Sequence, residues 1–586
     1  MNRLAVVGTG PSALYLLQNM VAHAATLRDP PLEISFFEKS AYVGAGMPYN
    51  LETTDHHHQS NISSEELPAL PETFADWLRN LSDKALCDYG IDREEISDSA
   101  IYSRLALGGF FRAQFRTLVE RCHQLGWAVA VHERSEVVDI GAAPDKARVW
   151  LEDDGGKRHC FDRVVIATGH VWPRDDVIAD GYYRSPWPIY KLLPGAEDEF
   201  FNFEVGLLGA SLSAFDVVNT LAHWHGQLIR TEEGQLVYQL NSGAEGFQLV
   251  LHSSRGLLPH LQYEQVEPMR AIYRHASRRE ILHAVDDSGF LRLDAYFDQI
   301  CRAPLLAAAR KDQYSPLVEL LEDPSAGWTE FVEFLSGAHD CGDAFERLRE
   351  ELPKAIDSVR GDHPIHWKET LDDLIYCLNY HTELLAAEDH VKLHAEIMPF
   401  LFSVIAAMPL HSARVLLALR AAGVIRMVKG KVEVVSVEGQ HGRTIIEVDD
   451  GDGVEAKSFR MFVDCRGQSV TEVDDYPFPS LIEQGYVVPA RARLADPAAM
   501  ADEAKIFREG QRRYYQNGGV WIDSSHRLLN AGGLADSRLY DLSYPHVMGV
   551  RPYSYGLQAC NETARIVVES WTEESVELAA DCKLSS

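Results

Sequence analysis

Gly8, Gly10 and Ala13 stand at the spacing G-x-G-x-x-A inside VGTGPSALYLL, residues 7–17. That spacing suits a pyrophosphate. The first glycine turns the chain, the second leaves room for the phosphate, and the third small residue lets a helix pack against its strand. Pro11 and Ser12 open the helix, whose free N–H groups and dipole favour negative charge. An acid closing the next strand should hold a ribose hydroxyl. Glu38 in LEISFFEK fills that place 28 residues after Gly10, followed by Lys39.

The chain repeats the device. EVGLLGASLSAFDVV, residues 204–218, carries Gly206, Gly209 and Ala214, with Ser211 where a middle glycine would stand and Ser213 just behind it. Serine narrows the phosphate approach and adds a hydroxyl. The next strand, FQLVLHSSRG, ends in Ser254-Arg255 instead of an acid. Arginine suits a ribose 2′-phosphate, so NADPH is expected in preference to NADH.

The elements around these turns are also duplicated. Residues 132–170 and 430–468 both read as strand, loop, strand, Asp-Gly turn and strand, then a small-residue turn. Those turns are Ala167-Thr168-Gly169 and Asp464-Cys465-Arg466-Gly467. Stretches such as SRREILHAV, SPLVELLED, DAFERLREELPKAIDSV, WKETLDDLIYCLNYHTELLAA and SARVLLALRAAGVI have helical periodicity with almost no strand signal. The expected fold is α/β, with two Rossmann-like dinucleotide-binding domains and a large all-helical insertion. The expected boundaries are 1–200 and 471–586 for the first domain, 201–260 and 426–470 for the second, and 261–425 for the insertion, which is expected to be a substrate subdomain.

The net charge of −32 argues against nonspecific nucleic-acid or anionic-membrane binding and requires locally basic cofactor sites. No run approaches the ~18–20 apolar residues of a membrane span. No charged-then-apolar leader precedes the first strand, so a cytoplasmic protein is expected. Nine scattered cysteines without a C-x-x-C fit reduced thiols. His56-His57-His58 are consecutive and would point apart on a loop, so no metal site is expected. The acidic run EVDDGDG, residues 447–453, lacks the spaced glutamate of a calcium loop and reads as a turn.

GTGPSALYLL, FFEKSAYVGAGMPY, VVIATGHVWP, GLLGASLSAFD and SSRGLLP resemble the bacterial FAD/NAD(P)-binding oxidoreductases allied to the flavin-dependent N-hydroxylating monooxygenases. The resemblance covers roughly 1–260 and 426–586, and one branch of the group N-hydroxylates aspartate. It implies that Gly8, Gly10, Ser12 and Ala13 hold the FAD pyrophosphate, Glu38 its ribose and the Val137 backbone its adenine, with Thr168 and Gly169 alongside. Gln59 and Asn61 would lie near the flavin ring, and Arg104 resembles a family arginine ahead of a glycine-bearing helix. Residues 530–564, with Gly533, Asp536 and Leu557, resemble the closing segment that brings a helix start to the flavin. Gly209, Ser211, Ser213, Ser254 and Arg255 would bind NADPH.

The activity implied is an FAD-dependent NADPH monooxygenase acting on a small amine, with dioxygen as co-substrate, through a flavin C4a-hydroperoxide. Aspartate is the favoured amine. The alternative is a reductase that passes electrons to a partner or small molecule without inserting oxygen. Arg292 and Arg414 are candidate clamps for a substrate carboxylate. Arg270 and Arg274 read as residues of a solvated helix face.

Overall fold

The computed structural model describes residues 2–143, 148–172, 176–196, 198–337, 342–361, 363–405, 408–435, 442–496, 505–510 and 512–572. Residues 144–147 and 436–441, within the two expected hairpin regions, lie outside them.

The first unit opens with β1 (Arg3–Val7), α1 (Pro11–Ala22) and β2 (Glu33–Glu38). A long helix, α2 (Arg104–Gln124), crosses to β3 (Ala128–Glu133). An antiparallel meander follows, β4 (Val137–Ala142), β5 (Val149–Asp153) and β6 (Arg158–Phe161), and the chain re-enters the main sheet as β7 (Arg163–Ile166). The second unit comprises β8 (Tyr182–Tyr183), β9 (Glu204–Leu208), α3 (Leu212–His225), the hairpin β10 (Gly226–Arg230) and β11 (Leu236–Leu240), and β12 (Gln248–Ser253). After the insertion come α4 (Leu410–Ala421), β13 (Ile425–Lys429), the meander β14 (Lys431–Val435), β15 (Thr444–Asp449) and β16 (Val454–Phe459), then β17 (Met461–Asp464). A small antiparallel sheet follows, of β18 (Pro489–Arg493), β19 (Ile506–Glu509) and β20 (Arg512–Val520). The closing segment adds β21 (Arg527–Leu529), β22 (Ala535–Asp541) and α5 (Leu557–Glu569).

The two main sheets share one strand order. The first runs β21-β22-β7-β1-β2-β3 and the second β13-β12-β9-β17-β8. Each centres on a glycine-loop strand flanked by the strand that follows it and the strand that leaves the meander. The reason is the same in both: β-branched and aliphatic runs buried on both faces need helices above and below them. Val6, Ile34, Val165 and Leu4 are fully buried in the first, and Val205, Leu249, Leu251 and Val463 in the second.

The insertion replaces a loop. In the first unit residues 39–103 link β2 to its crossover helix. In the second unit the corresponding link, from β12 to α4, has grown into a helical body. Trp328, Tyr296, Phe297, Phe331, Leu371 and Leu374 form its core, which also takes in Tyr553 and Ala559 of the closing segment. The insertion is thus fused to the start of α5 through one apolar core, and each fully buried Leu or Phe there stabilises the join by roughly 1.5–3 kcal/mol.

Two elements escape the sequence pattern. The helical stretch from Ala387 to Val404 is broken by a π-helical turn at Leu393–Ile397, where His394 and Glu396 blur its apolar face. The run SARVLLALRAAGVI does not stay helical to its end. Gly423, at φ +74°, stops α4, and Ile425 already begins β13.

Candidate active site

The first glycine turn is set by contact. Gly8 has φ +97°, and a Cβ there would stand 2.3 Å from the Ala167 carbonyl oxygen. Gly10 precedes α1, which has no side-chain cap and no acid in its first turn, so its N–H groups are available to an anion. A Cβ on Gly10 would meet the Gly46 Cα at 3.3 Å, so residues 44–46 close over the turn. Thr9, fully buried, donates through its N–H and its hydroxyl to Glu38 Oε2 at 3.1 and 2.7 Å, and the Ser40 N–H donates to Oε1 at 2.9 Å. Glu38 therefore pins the turn, and Oε1 keeps a lone pair for one further donor. Lys39 is exposed beside it, Pro11, Ser12 and Ala13 form the first turn of α1, and Val137 opens β4.

A second helix start joins the first. The Ser12 hydroxyl donates to Cys560 Sγ at 3.4 Å, near the beginnings of α1 and α5. At the far ends the Arg28 N–H donates to the Trp571 carbonyl at 3.1 Å, and Leu27 bridges Thr572. The helices are therefore parallel, and both N-termini open at one end. Gly556, at φ +91°, precedes α5, again without a side-chain cap. A Cβ on Gly556, or on Gly169 at φ +70°, would meet nothing within 4 Å. Leu557 is buried in the first turn of α5, and Thr168 is fixed by Ser543 Oγ, 3.0 Å from its N–H and 2.9 Å from its hydroxyl. Two uncapped helix starts with glycine-lined open space between them fit a dinucleotide cofactor.

Gly533 and Asp536 do not join this site. Asp536 belongs to β22, which runs parallel to β7, and the two residues lie at the amino end of that strand. The glycine turn follows the carboxyl ends, where Asp541 and Ser543 stand instead. Asp536 is occupied by Arg538 at 2.6 Å. The sequence of this segment carries no signal for its register on the sheet.

The second unit repeats the contact that shapes the first. Gly209 has φ +118°, and its Cβ would lie 3.0 Å from the Cys465 carbonyl oxygen, as Gly8 does against Ala167. Ser211 is the exposed, uncapped residue before α3, with Ser213 half-buried behind it. Ser254 is exposed and Arg255 half-buried past the end of β12. A cation that the sequence did not single out is Lys429. It ends β13 opposite Ser253 and lies against Gly256.

The units meet at Arg104. Its Nη1 is 2.8 Å from Asp216 Oδ2 on α3, and its Nε donates to the Gln59 carbonyl at 3.1 Å. Arg104 thus holds the junction through a buried ion pair. Burial pushes the Asp216 carboxyl up, against the opposing pull of Arg104. The three histidines take separate environments. His58 is buried with Nε2 2.9 Å from Thr220 Oγ1, His57 stacks on His223 with ring centroids 3.7 Å apart, and His56 is exposed. Asn61 is exposed and, with Ser63, Glu66 and Tyr263, lines a cavity of about 50 Å³ between the first unit and the insertion.

The arginine expectations need correction. Arg292 pairs with Asp389 inside the insertion, Nε to Oδ2 at 2.5 Å, and no contact among the described residues joins it to α5. Arg414 sits on α4 with Arg230 and Arg360 as its charged neighbours, so the pair forms no clamp. Arg270 and Arg274 are on no helix. They lie in the irregular segment before the helix Arg278–His283 and are bonded to Asp372 and Asp373 at 2.9 and 2.6 Å. The spacing of isolated arginines carried no signal for this, because their acids are about 100 residues away.

Residues 5–171 match the family described as FAD-NAD(P)-binding, and residues 277–405 the one described as YdhS-like middle domain. The uncharacterized protein YdhS of Escherichia coli strain K12 is 30% identical over 494 residues, covering 83% of this chain and 86% of its own. Among solved structures, the ornithine N-hydroxylase KtzI of Kutzneria sp. 744 superposes with a TM-score of 0.41 at 13% identity, over 97% of this chain and 98% of that one. The ornithine hydroxylase PvdA of Pseudomonas aeruginosa gives 0.43 at 11%, over 97% and 98%. The bacillithiol disulfide reductase Bdr of Staphylococcus aureus gives 0.39 at 10%, also over 97% and 98%.

Proposed function

This chain belongs to the family of Escherichia coli YdhS, and from that premise we propose that it is an FAD-dependent NADPH monooxygenase that N-hydroxylates a small amine. Gly8, Gly10, Pro11, Ser12 and Ala13 hold the FAD pyrophosphate on α1, Glu38 takes a ribose hydroxyl, and Gly556 and Leu557 bring the α5 start to the ring. Gly209, Ser211 and Ser213 receive the NADPH pyrophosphate, and Ser254, Arg255 and Lys429 its 2′-phosphate. The chemistry that FAD held by these residues would supply is acceptance of hydride from the nicotinamide and activation of dioxygen.

The observation that carries this reading is the roof over the α5 start. The Tyr553 hydroxyl donates to Asp372 Oδ1 at 2.7 Å, Asn379 Nδ2 donates to Ser554 Oγ at 2.9 Å, and the Arg270 N–H donates to Gln558 Oε1 at 2.9 Å. All three tie the insertion to the residues on either side of Gly556 at the α5 start. Oxygen insertion needs a chamber from which water is kept out. Electron delivery to a protein partner needs an uncovered face.

The chain's own work is to bind, orient and exclude water. An amine enters mostly protonated and must be neutral to attack, so desolvation under the roof lowers its pKa in the useful direction. Aspartate is the first amine to test among small amino acids. The experiment is NADPH oxidation in air by the flavin-loaded protein, with peroxide and N-oxygenated product measured together. A substrate should lower peroxide per NADPH and yield product. Full anaerobic turnover with an electron acceptor, and a peroxide yield that no amine alters, would replace this reading with the reductase.

A further inference from the structure

Arg270 is held on three sides. Its N–H donates to Gln558 Oε1 at 2.9 Å, and Gln558 Nε2 donates in turn to the carbonyls of Glu66 and Pro268, each at 2.9 Å. Gln558 is in the first turn of α5, so this backbone is fixed to the helix start that opens on the cleft. The guanidinium lies over two buried rings, 5.1 Å from Tyr553 and 5.5 Å from Tyr376. Its Nε donates to Asp372 Oδ2 at 2.9 Å, while Asp372 Oδ1 accepts the Tyr553 hydroxyl at 2.7 Å.

This leaves an edge unspent. Among the described residues only Nε of the Arg270 side chain is hydrogen-bonded, and the side chain keeps 23% of its surface where Asp372 keeps 9%. The Nη1–Nη2 edge of a guanidinium makes two parallel bonds to a carboxylate, a match no ammonium reproduces. The two neighbouring arginines each make contacts of their own. Arg274 reaches Asp373, Glu267 and the Met269 carbonyl, and Arg551 reaches the Asn379 carbonyl, Thr382 and Glu383. The rings and Gln558 hold Arg270 rigid, which removes most of the entropy cost of a bidentate contact.

We propose that Arg270 is the specificity-determining residue of the cleft, seating a carboxylate of the substrate on its free guanidinium edge. This rests on the reading of the protein as an amine-oxidising enzyme and narrows it to amino acids over simple amines. Asp372 and Tyr553 act as positioning residues through Arg270.

The test uses flavin-loaded wild type, Arg270→Gln and Arg270→Lys. Thermal unfolding is followed with succinate, L-aspartate or L-ornithine as the anion probe, and coupled turnover is compared between L-ornithine and putrescine and between L-lysine and cadaverine. At least one carboxylate probe should raise the wild-type Tm, with apparent affinity falling tenfold or more in Arg270→Gln and only partly in Arg270→Lys. The preference in kcat/KM for the amino acid over its decarboxylated amine should fall by the same factor, mainly through KM. Equal Tm responses in wild type and Arg270→Gln, or none in either, would overturn the assignment. If Arg270→Gln fails to fold, a Lys variant that matches wild type in both measurements would overturn it too. If wild type oxygenates no amine while a carboxylate still binds through Arg270, the oxygenase reading falls and the anion site stands.

Discussion

Arg104 and Asp216 form a buried ion pair, Nη1 to Oδ2 at 2.8 Å, between the crossover helix of the first unit and the glycine-loop helix of the second. Two charges withdrawn from water stabilise only as a pair, and removing one strands the other. Asp216→Asn should therefore cost roughly 3–5 kcal/mol of unfolding free energy in denaturant titrations of the flavin-loaded protein, and Arg104→Met with Asp216→Leu should cost less than the single change. A single variant as stable as wild type would show that the pair does not hold the units together.

Gly10→Val should abolish flavin retention. Its Cβ would press on Gly46, and its branches would occupy the space above the α1 start. The absorbance near 450 nm relative to protein after purification decides it, and a variant that stays fully yellow would refute the first site.

Arg255→Ala and Lys429→Ala should each raise KM for NADPH and leave NADH nearly unchanged. A lost charge-assisted contact is worth about 1.5–3 kcal/mol, or roughly tenfold or more in cofactor preference. Equal losses with both cofactors would mean that these cations do not read the 2′-phosphate.

His252 gives a pH prediction. It is fully buried between Phe459 and Phe462, neither ring nitrogen has a partner among the described residues, and burial first, then Lys457 and Arg426, hold it down to about 4. The folded protein keeps it neutral while the unfolded chain protonates below the ordinary value of 6.5. Stability from this group is present above that value and is lost as pH falls toward about 4. His252→Phe should reduce the slope of unfolding free energy across that window by about 1.4 kcal/mol per pH unit. An unchanged slope in denaturant titrations would mean that His252 is not the group that titrates.

What the sequence disclosed was local. Glycine spacing with the acid at the end of β2, the Ser254-Arg255 turn and each of the twin meanders are separately written within stretches of about 40 residues or fewer. The structure adds the partners that make them work: Thr9 for Glu38, Gly46 for Gly10, Asp216 for Arg104. Those pairings join distant segments, so no window of sequence contains them. The same limit explains why Asp536 was favoured where Asp541 and Ser543 stand. A strand shows its side-chain alternation but not which of its ends lies beside a neighbour. Arg292 looked available for the same reason, since Asp389 is far off in the chain.

The first sheet is completed from the other end of the chain. β7 ends at Ile166, and the strand that pairs with it, β22, is made about 370 residues later, just before α5. At a synthesis rate of about 5–20 residues per second, β7 waits roughly 20–75 seconds for its partner strand. The second unit and its insertion emerge whole in the interval. A ribosome that stalls before residue 535 would therefore leave a nascent chain with half a cradle, its β7 edge unpaired and open to chaperones or to a neighbouring chain. Capture of the flavin then waits on the closing segment, so that a coloured molecule is one in which both helix starts have been made.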